Sequence, residues 1–151
     1  MTRNDHVSYA AGRTHTMPGK IGQGRLLPAV IRAARACFAE TDILEFHGAY
    51  GPQFKQILKD RTVRAGAVLQ RYYEVPVSSP ALEAILRGLD SAGDTAGCVY
   101  FYVRRGAKVI LEVEHLCDWL WLHPDLPTAV DQCMLRGINQ ALADRHRDPA
   151  G

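Results

Sequence analysis

Apolar residues recur along this chain with two periods, and the alternation between those periods marks out its elements. Leu27, Ile31, Ala34 and Phe38 fall at i, i+4, i+7 and i+11, with Val30 and Cys37 beside them and Arg32 and Arg35 pointing elsewhere. This spacing predicts an amphipathic helix over about 26–40, with Pro28 in the first turn, where a missing N–H costs little. DILEF at 42–46 is short enough for a strand. Gly48, Gly51 and Pro52 separate it from a short helix carrying Phe54, Ile57 and Leu58 on one side. Residues 67–77, AVLQRYYEVPV, mix β-branched and aromatic side chains in rough alternation and predict a strand, with Leu69, Tyr73 and Val75 on one side and Pro76 at its end.

Ser79 followed by Pro80 reads as an N-cap and an N1 proline, with Glu83 near the positive end of the dipole. The helix they open runs over about 80–91 and buries Leu82, Ile85, Leu86 and Leu89. Residues 97–115 predict a hairpin turning at Arg105 and Gly106, pairing Tyr102 with Val109, Tyr100 with Leu111 and Cys98 with Val113. A final helix over about 128–145 carries Val130, Met134, Ile138, Ala141 and Leu142 on one side, with Asp131 in the position of a capping-box acid.

The expected fold is therefore α+β or α/β, a single domain of about four helices packed on a small mixed β-sheet that contains the hairpin at about 97–115. Residues 1–24, rich in Gly, Thr, His, Ser and Arg, lack periodicity and are expected to form a flexible basic arm. The globular domain spans 25–147, and 148–151 form a disordered tail.

Composition changes this picture little. A net charge of +2 on 151 residues implies neither nucleic acid nor an anionic membrane. Local charge is less even: the first 35 residues hold Arg3, Arg13, Lys20, Arg25, Arg32 and Arg35 against Asp5. Nucleic acid therefore stays open as a partner through the arm and the arginine turn at 104 and 105. The four cysteines, at 37, 98, 117 and 133, form no CxxC pair and read as reduced thiols, with Cys37 and Cys133 as small core hydrophobes. Without a secretory signal or an apolar run of the ~20 residues a membrane span needs, the chain is expected to be soluble and cytoplasmic, with no membrane partner.

The densest concentration of chemistry-bearing side chains is EVEHLCDWLWLH at 112–123. If the strand of the hairpin continues unbroken, Val109, Leu111, Val113, His115, Cys117, Trp119, Trp121 and His123 share one face, and the apparent ligand cluster resolves into an apolar stripe. Metal ligation is not expected, nor is any cofactor. PGKIGQGR resembles a phosphate loop in composition, but its glycines stand in the wrong order and no strand precedes it. For acid/base or nucleophilic chemistry the candidates are His47 with Glu45, at the end of a predicted strand, and His115 with Cys117. No GxSxG, HExxH or deaminase-type signature appears.

Two tryptophans bordered by acids and a histidine have the composition of an interface anchor with a polar rim. The leading expectation is a non-enzymatic module that binds another protein, most concretely an inhibitor or immunity-type protein, through Trp119, Trp121, Asp118 and His123. A small enzyme and a nucleic-acid-binding accessory protein are the alternatives.

Overall fold

Alternation and helical periodicity place most of the elements where they form. The computed structural model describes residues 11–17, 23–65, 72–114 and 119–147. In chain order the elements are β1 (Arg13–Thr16), α1 (Gln23–Cys37), β2 (Ile43–His47), α2 (Pro52–Arg61), β3 (Val63–Ala65), β4 (Tyr72–Pro76), α3 (Ala81–Ala92), β5 (Tyr100–Arg105), β6 (Lys108–Glu114), β7 (Trp119–Leu122) and α4 (Thr128–Arg147). A 3-10 turn, Gly93–Thr95, follows α3.

The strands form one seven-stranded sheet in the order β1-β7-β6-β5-β2-β4-β3. Every pairing between these strands is antiparallel, so the expected mixed sheet is corrected and the class is α+β. The helices join strands that never become parallel neighbours, which is what an α/β fold would require.

Helix residues and one sheet face share a single core. Leu27 and Ile31 of α1, Phe54 and Leu58 of α2, Leu82 and Ile85 of α3, and Met134 and Ile138 of α4 meet Leu44, Phe46, Phe101, Val103, Leu111 and Leu120. The described helices thus cover one face of the sheet and leave the other without a helix. None of them is long and apolar enough to cross a membrane.

Several local readings change. Helix α1 begins at Gln23, so Pro28 lies inside it rather than in its first turn. The stretch 13–16, assigned to an arm without regular structure, is instead the edge strand β1, with Met17 buried behind it. Its anchor is Arg13, whose Nε and Nη2 donate to the two carboxylate oxygens of Asp131 at 2.9 and 2.7 Å, while His15 Nε2 lies 2.6 Å from Asp131 Oδ2. Asp131, read as a helix-capping acid, therefore binds β1 to α4 across the core. Burial pushes its carboxyl up, but hydrogen bonds from Arg13 and His15 outweigh that and hold it below the usual range. The rest of the expected arm (1–10 and 18–22), the strand start at 67–71 and the tail at 148–151 lie outside the described residues.

The hairpin turns one residue later than expected. Arg105 pairs with Lys108, leaving Gly106 and Ala107 as the two turn residues, and Gly106 takes φ 60° at the first centre, a conformation open to glycine. A bulge between Val103 and Arg104 then shifts the register again, so that Tyr102 faces Glu112 and Tyr100 faces Glu114.

The segment 112–123 is not one strand. β6 and β7 are antiparallel neighbours, with Glu112 opposite Trp121 and Val113 opposite Leu120. The chain reverses between them, which divides the proposed odd-numbered stripe: Leu111 and Val113 face the helices, whereas Trp119 and Trp121 join Val109 and Tyr102 in a second cluster.

The cysteines differ most from expectation. Cys37, the last residue of α1, and Cys133 of α4 form a disulfide rather than two reduced thiols. Both stand partly buried on their helices, and no sequence pattern shows that those helices bring them together. Cys98 is buried, and Cys117 lies outside the described residues.

Candidate functional site

Antiparallel register sets directly opposed residues on the same side of a sheet, so each row across the strands can be read from the pairings. On the face without helices two such rows stand out. The first runs Trp121, Glu112, Tyr102, Glu45, Glu74, and it is largely buried. The second includes Glu114, Tyr100, His47 and Tyr72, with Trp119 two positions from Trp121 on β7 and so on the same face. It is the more open row: Tyr100 is 42% exposed, and Trp119, Glu114, His47 and Tyr72 are half-buried.

The centre of the face is an ionic network. Glu45 Oε1 lies 2.8 Å from His47 Nε2, and Glu45 Oε2 accepts from Arg104 Nε at 2.6 Å. Arg104 Nη2 then donates to Glu74 Oε1 at 2.8 Å. Burial pushes the Glu45 carboxyl up, but hydrogen bonds from His47 and Arg104, with their charges, hold it below the ordinary glutamate value. The Tyr72 phenol is raised by burial and by the carboxylates of Glu45 and Glu74.

Aromatic rings fix the histidine on two sides. Tyr72 stacks on His47 with centroids 4.3 Å apart and planes 8° from parallel, and Tyr102 meets it edge-on at 4.8 Å. Tyr100 stacks on Tyr102 at 5.8 Å. His47 is thereby oriented by a carboxylate and clamped by rings, an arrangement able to move a proton or to present a rigid aromatic surface. Among the described residues, no three His, Cys, Asp or Glu side chains are grouped to hold a metal.

The lowered value at Glu45 has a testable consequence. Because the folded carboxyl titrates below the unfolded value near 4.5, its contribution is complete above about pH 4.5 and is lost as pH falls through the lower folded value. Glu45→Gln is expected to cost about 2 kcal/mol at neutral pH and to flatten the fall in stability on acidification. Urea denaturation of both proteins between neutral and acid pH measures this; parallel profiles would remove the pair from the stability account.

Of the residues singled out in the sequence, the structure brings Glu45 and His47 together. Trp119 stands in the open row. Trp121 is 1% exposed, with the backbone of Gly12 so close that a Cβ there would lie 2.1 Å from the indole nitrogen. His123 is 5% exposed, its Nδ1 accepts from the Asp125 amide at 3.0 Å, and burial lowers its pKa. His115, Cys117 and Asp118 lie outside the described residues.

Both arginines near the turn are paired with carboxylates of the protein, although half of the Arg105 side chain stays exposed. Arg104 serves Glu45 and Glu74, and Arg105 makes two hydrogen bonds to the fully buried Asp42, at 2.9 and 2.8 Å.

Sequence reasoning missed Arg104, Glu74, Tyr72 and Tyr100 as members of this site. Alternation in YYE and YFYVR already put Tyr72 with Glu74, and Tyr100 with Tyr102 and Arg104, on common faces. What was missing was that β2 lies between β4 and β5. Comparisons with protein families, curated proteins and solved structures find no match for this chain.

Proposed function

We propose that this protein is a binding module for another protein and that it docks through the open row of the helix-free sheet face. The observation that carries this reading is the line of Glu114, Tyr100, His47 and Tyr72, with Trp119 at one end, over a buried ionic network. Tyrosine, tryptophan and arginine are the side chains that dominate binding energy at interfaces. Here stacking and the Glu45 contact already restrict His47 and Tyr72, so little rotamer freedom remains to be lost on binding.

An inhibitor or immunity-type protein is the most concrete form of this function. The surface differs in part from the one suggested by composition. Trp119 stays in it, whereas Trp121 and His123 are buried and support it from within. The test is a Tyr72→Ala, Tyr100→Ala double variant that keeps its circular dichroism, used beside the wild type to capture partners from extracts of the native cell. Loss of a stoichiometric partner is expected; its undiminished capture would refute docking at this face.

A second reading is favoured by one contact, the 2.8 Å hydrogen bond between His47 and Glu45, which makes a histidine general base geometrically available. Hydrolysis of an activated ester that disappears in His47→Gln would support it, and an unchanged rate would dismiss it. Nucleic-acid binding has less support, because the turn arginines neutralise internal carboxylates. Cytoplasmic residence stays an expectation of the sequence, and the Cys37–Cys133 disulfide weighs against it, since reducing compartments keep such thiols apart.

A further inference from the structure

We infer that the Cys37–Cys133 disulfide is a redox switch for the edge strand β1: oxidised, it seats the strand on the sheet, and reduced, it lets the strand leave. Between Arg13 and Thr16 the strand has no apolar hold of its own. Arg13 lies opposite Leu122 and His15 opposite Leu120, so both point to the helix side of the sheet, while Thr14 and Thr16 on the other side are exposed. A four-residue edge strand with polar side chains turned inward is held weakly by the sheet alone. Arg13 and His15 are instead caught at the entrance of α4. Asp131 takes both, and Arg13 also donates to the carbonyl oxygens of Leu126 at 2.8 Å and of Pro124 and Pro127 at 3.4 Å.

Cys133 follows Asp131 within the opening turns of α4, so the disulfide fixes the end of the helix that holds β1. One turn further along, a Cβ on Gly137 would lie 2.9 Å from the Cβ of Ala33, itself one turn before Cys37. The two helices therefore run antiparallel and stay closely packed beyond the disulfide. Both cysteines are partly exposed, so a dithiol reductant can reach them. Reduction breaks the S–S bond, takes up two electrons and two protons, leaves two thiols, and converts the reducing dithiol into its own disulfide. The contact at Gly137 then keeps α1 and α4 together, whereas the opening turns of α4 lose the tether that fixes Asp131 against Arg13. Departure of β1 bares the edge of β7 and the Trp121 indole against which Gly12 lies.

Amide hydrogen exchange of the full chain, read by mass spectrometry on peptides covering 11–17 and taken relative to the unfolded chain, tests this before and after reduction. Reduction is expected to speed exchange in β1 by about tenfold or more through local opening. Asp131→Asn should give the same fast exchange with the disulfide intact, and reduction should then add less than about twofold. Arg13→Gln takes its place if the Asp131 variant does not fold. Cys37→Ala, Cys133→Ala should exchange fast in β1 with and without reductant. A crosslink that acted on the unfolded chain alone would change the rates of the best-protected amides of β2 and β5 and leave local opening at β1 as it was. An unchanged β1 rate after reduction would therefore overturn the switch, and so would a full effect of reduction persisting in Asp131→Asn.

Discussion

Trp121→Ala is expected to lower stability by about 3–5 kcal/mol, the range for emptying a large aromatic side chain from a packed interior. Trp121 is among the largest side chains buried to within 2% exposure, yet it does not belong to the core beneath the helices. It forms a second cluster with Tyr102 and Val109, on the opposite side of the sheet, and Trp119 packs against them. The Gly12 backbone lies directly against the indole, so the segment leading into β1 closes this cluster, and a collapsing cavity would loosen the edge strand as well.

The result separates two uses of a tryptophan. If Trp121 were chiefly a binding anchor, its removal would weaken partner capture and leave the fold nearly unchanged. If it is a core residue, denaturation shifts first. Urea unfolding followed by far-UV circular dichroism decides, and a loss below about 1 kcal/mol would contradict the buried role. Tyr100→Ala is the useful contrast, since an exposed ring contributes little to folding and its loss is expected to appear in binding.

Reduction of the Cys37–Cys133 disulfide is the second large effect. The bond spans 96 residues of sequence, so it closes a loop containing most of the chain and removes many conformations from the unfolded state. In the chain-entropy account a loop of that size is worth up to about 4.7 kcal/mol, and measured values cluster near 2–4 kcal/mol. The Cys37→Ala, Cys133→Ala variant, or the wild type in reductant, is expected to unfold at correspondingly lower denaturant concentration. The drop should vanish when reductant is added to the double variant. Equal midpoints for oxidised and reduced wild type would show that the crosslink does not form in solution. Since the bond ties α1 to α4, its loss is expected to leave the Glu45–His47–Arg104 network on the far side of the sheet in place.

Much of the secondary structure was legible because it is set locally. Leu82, Ile85, Leu86 and Leu89 announce α3 by spacing alone, and Met134, Ile138 and Leu142 do the same for α4. A single domain of four helices on a sheet follows from the same periods and from a length suited to one core, while the antiparallel pairings decided α+β over α/β. Glu45 and His47 are two apart on a strand, so their shared side could be read without coordinates.

The sequence by itself thus determined all four helices, most of the strands and which of their sides are apolar, because these depend on neighbours a few positions away. Only the tertiary structure decided what each side faces. Residues 13–16 became an edge strand because Asp131, 118 positions from Arg13, supplies the carboxylate that holds them. The bulge at Val103 and Arg104 put Val109 on the opposite side from Leu111, and the antiparallel return of β7 beside β6, with Trp121 opposite Glu112, turned Trp119 and Trp121 away from the helices, since a one-residue change in register exchanges the two faces of a strand. Cys37 and Cys133 became partners because α1 and α4 lie side by side. Arg104 reached Glu45 across 59 positions because β5 pairs with β2. Strand order depends on the free energy of the whole packed sheet, and no local pattern in the chain encodes it.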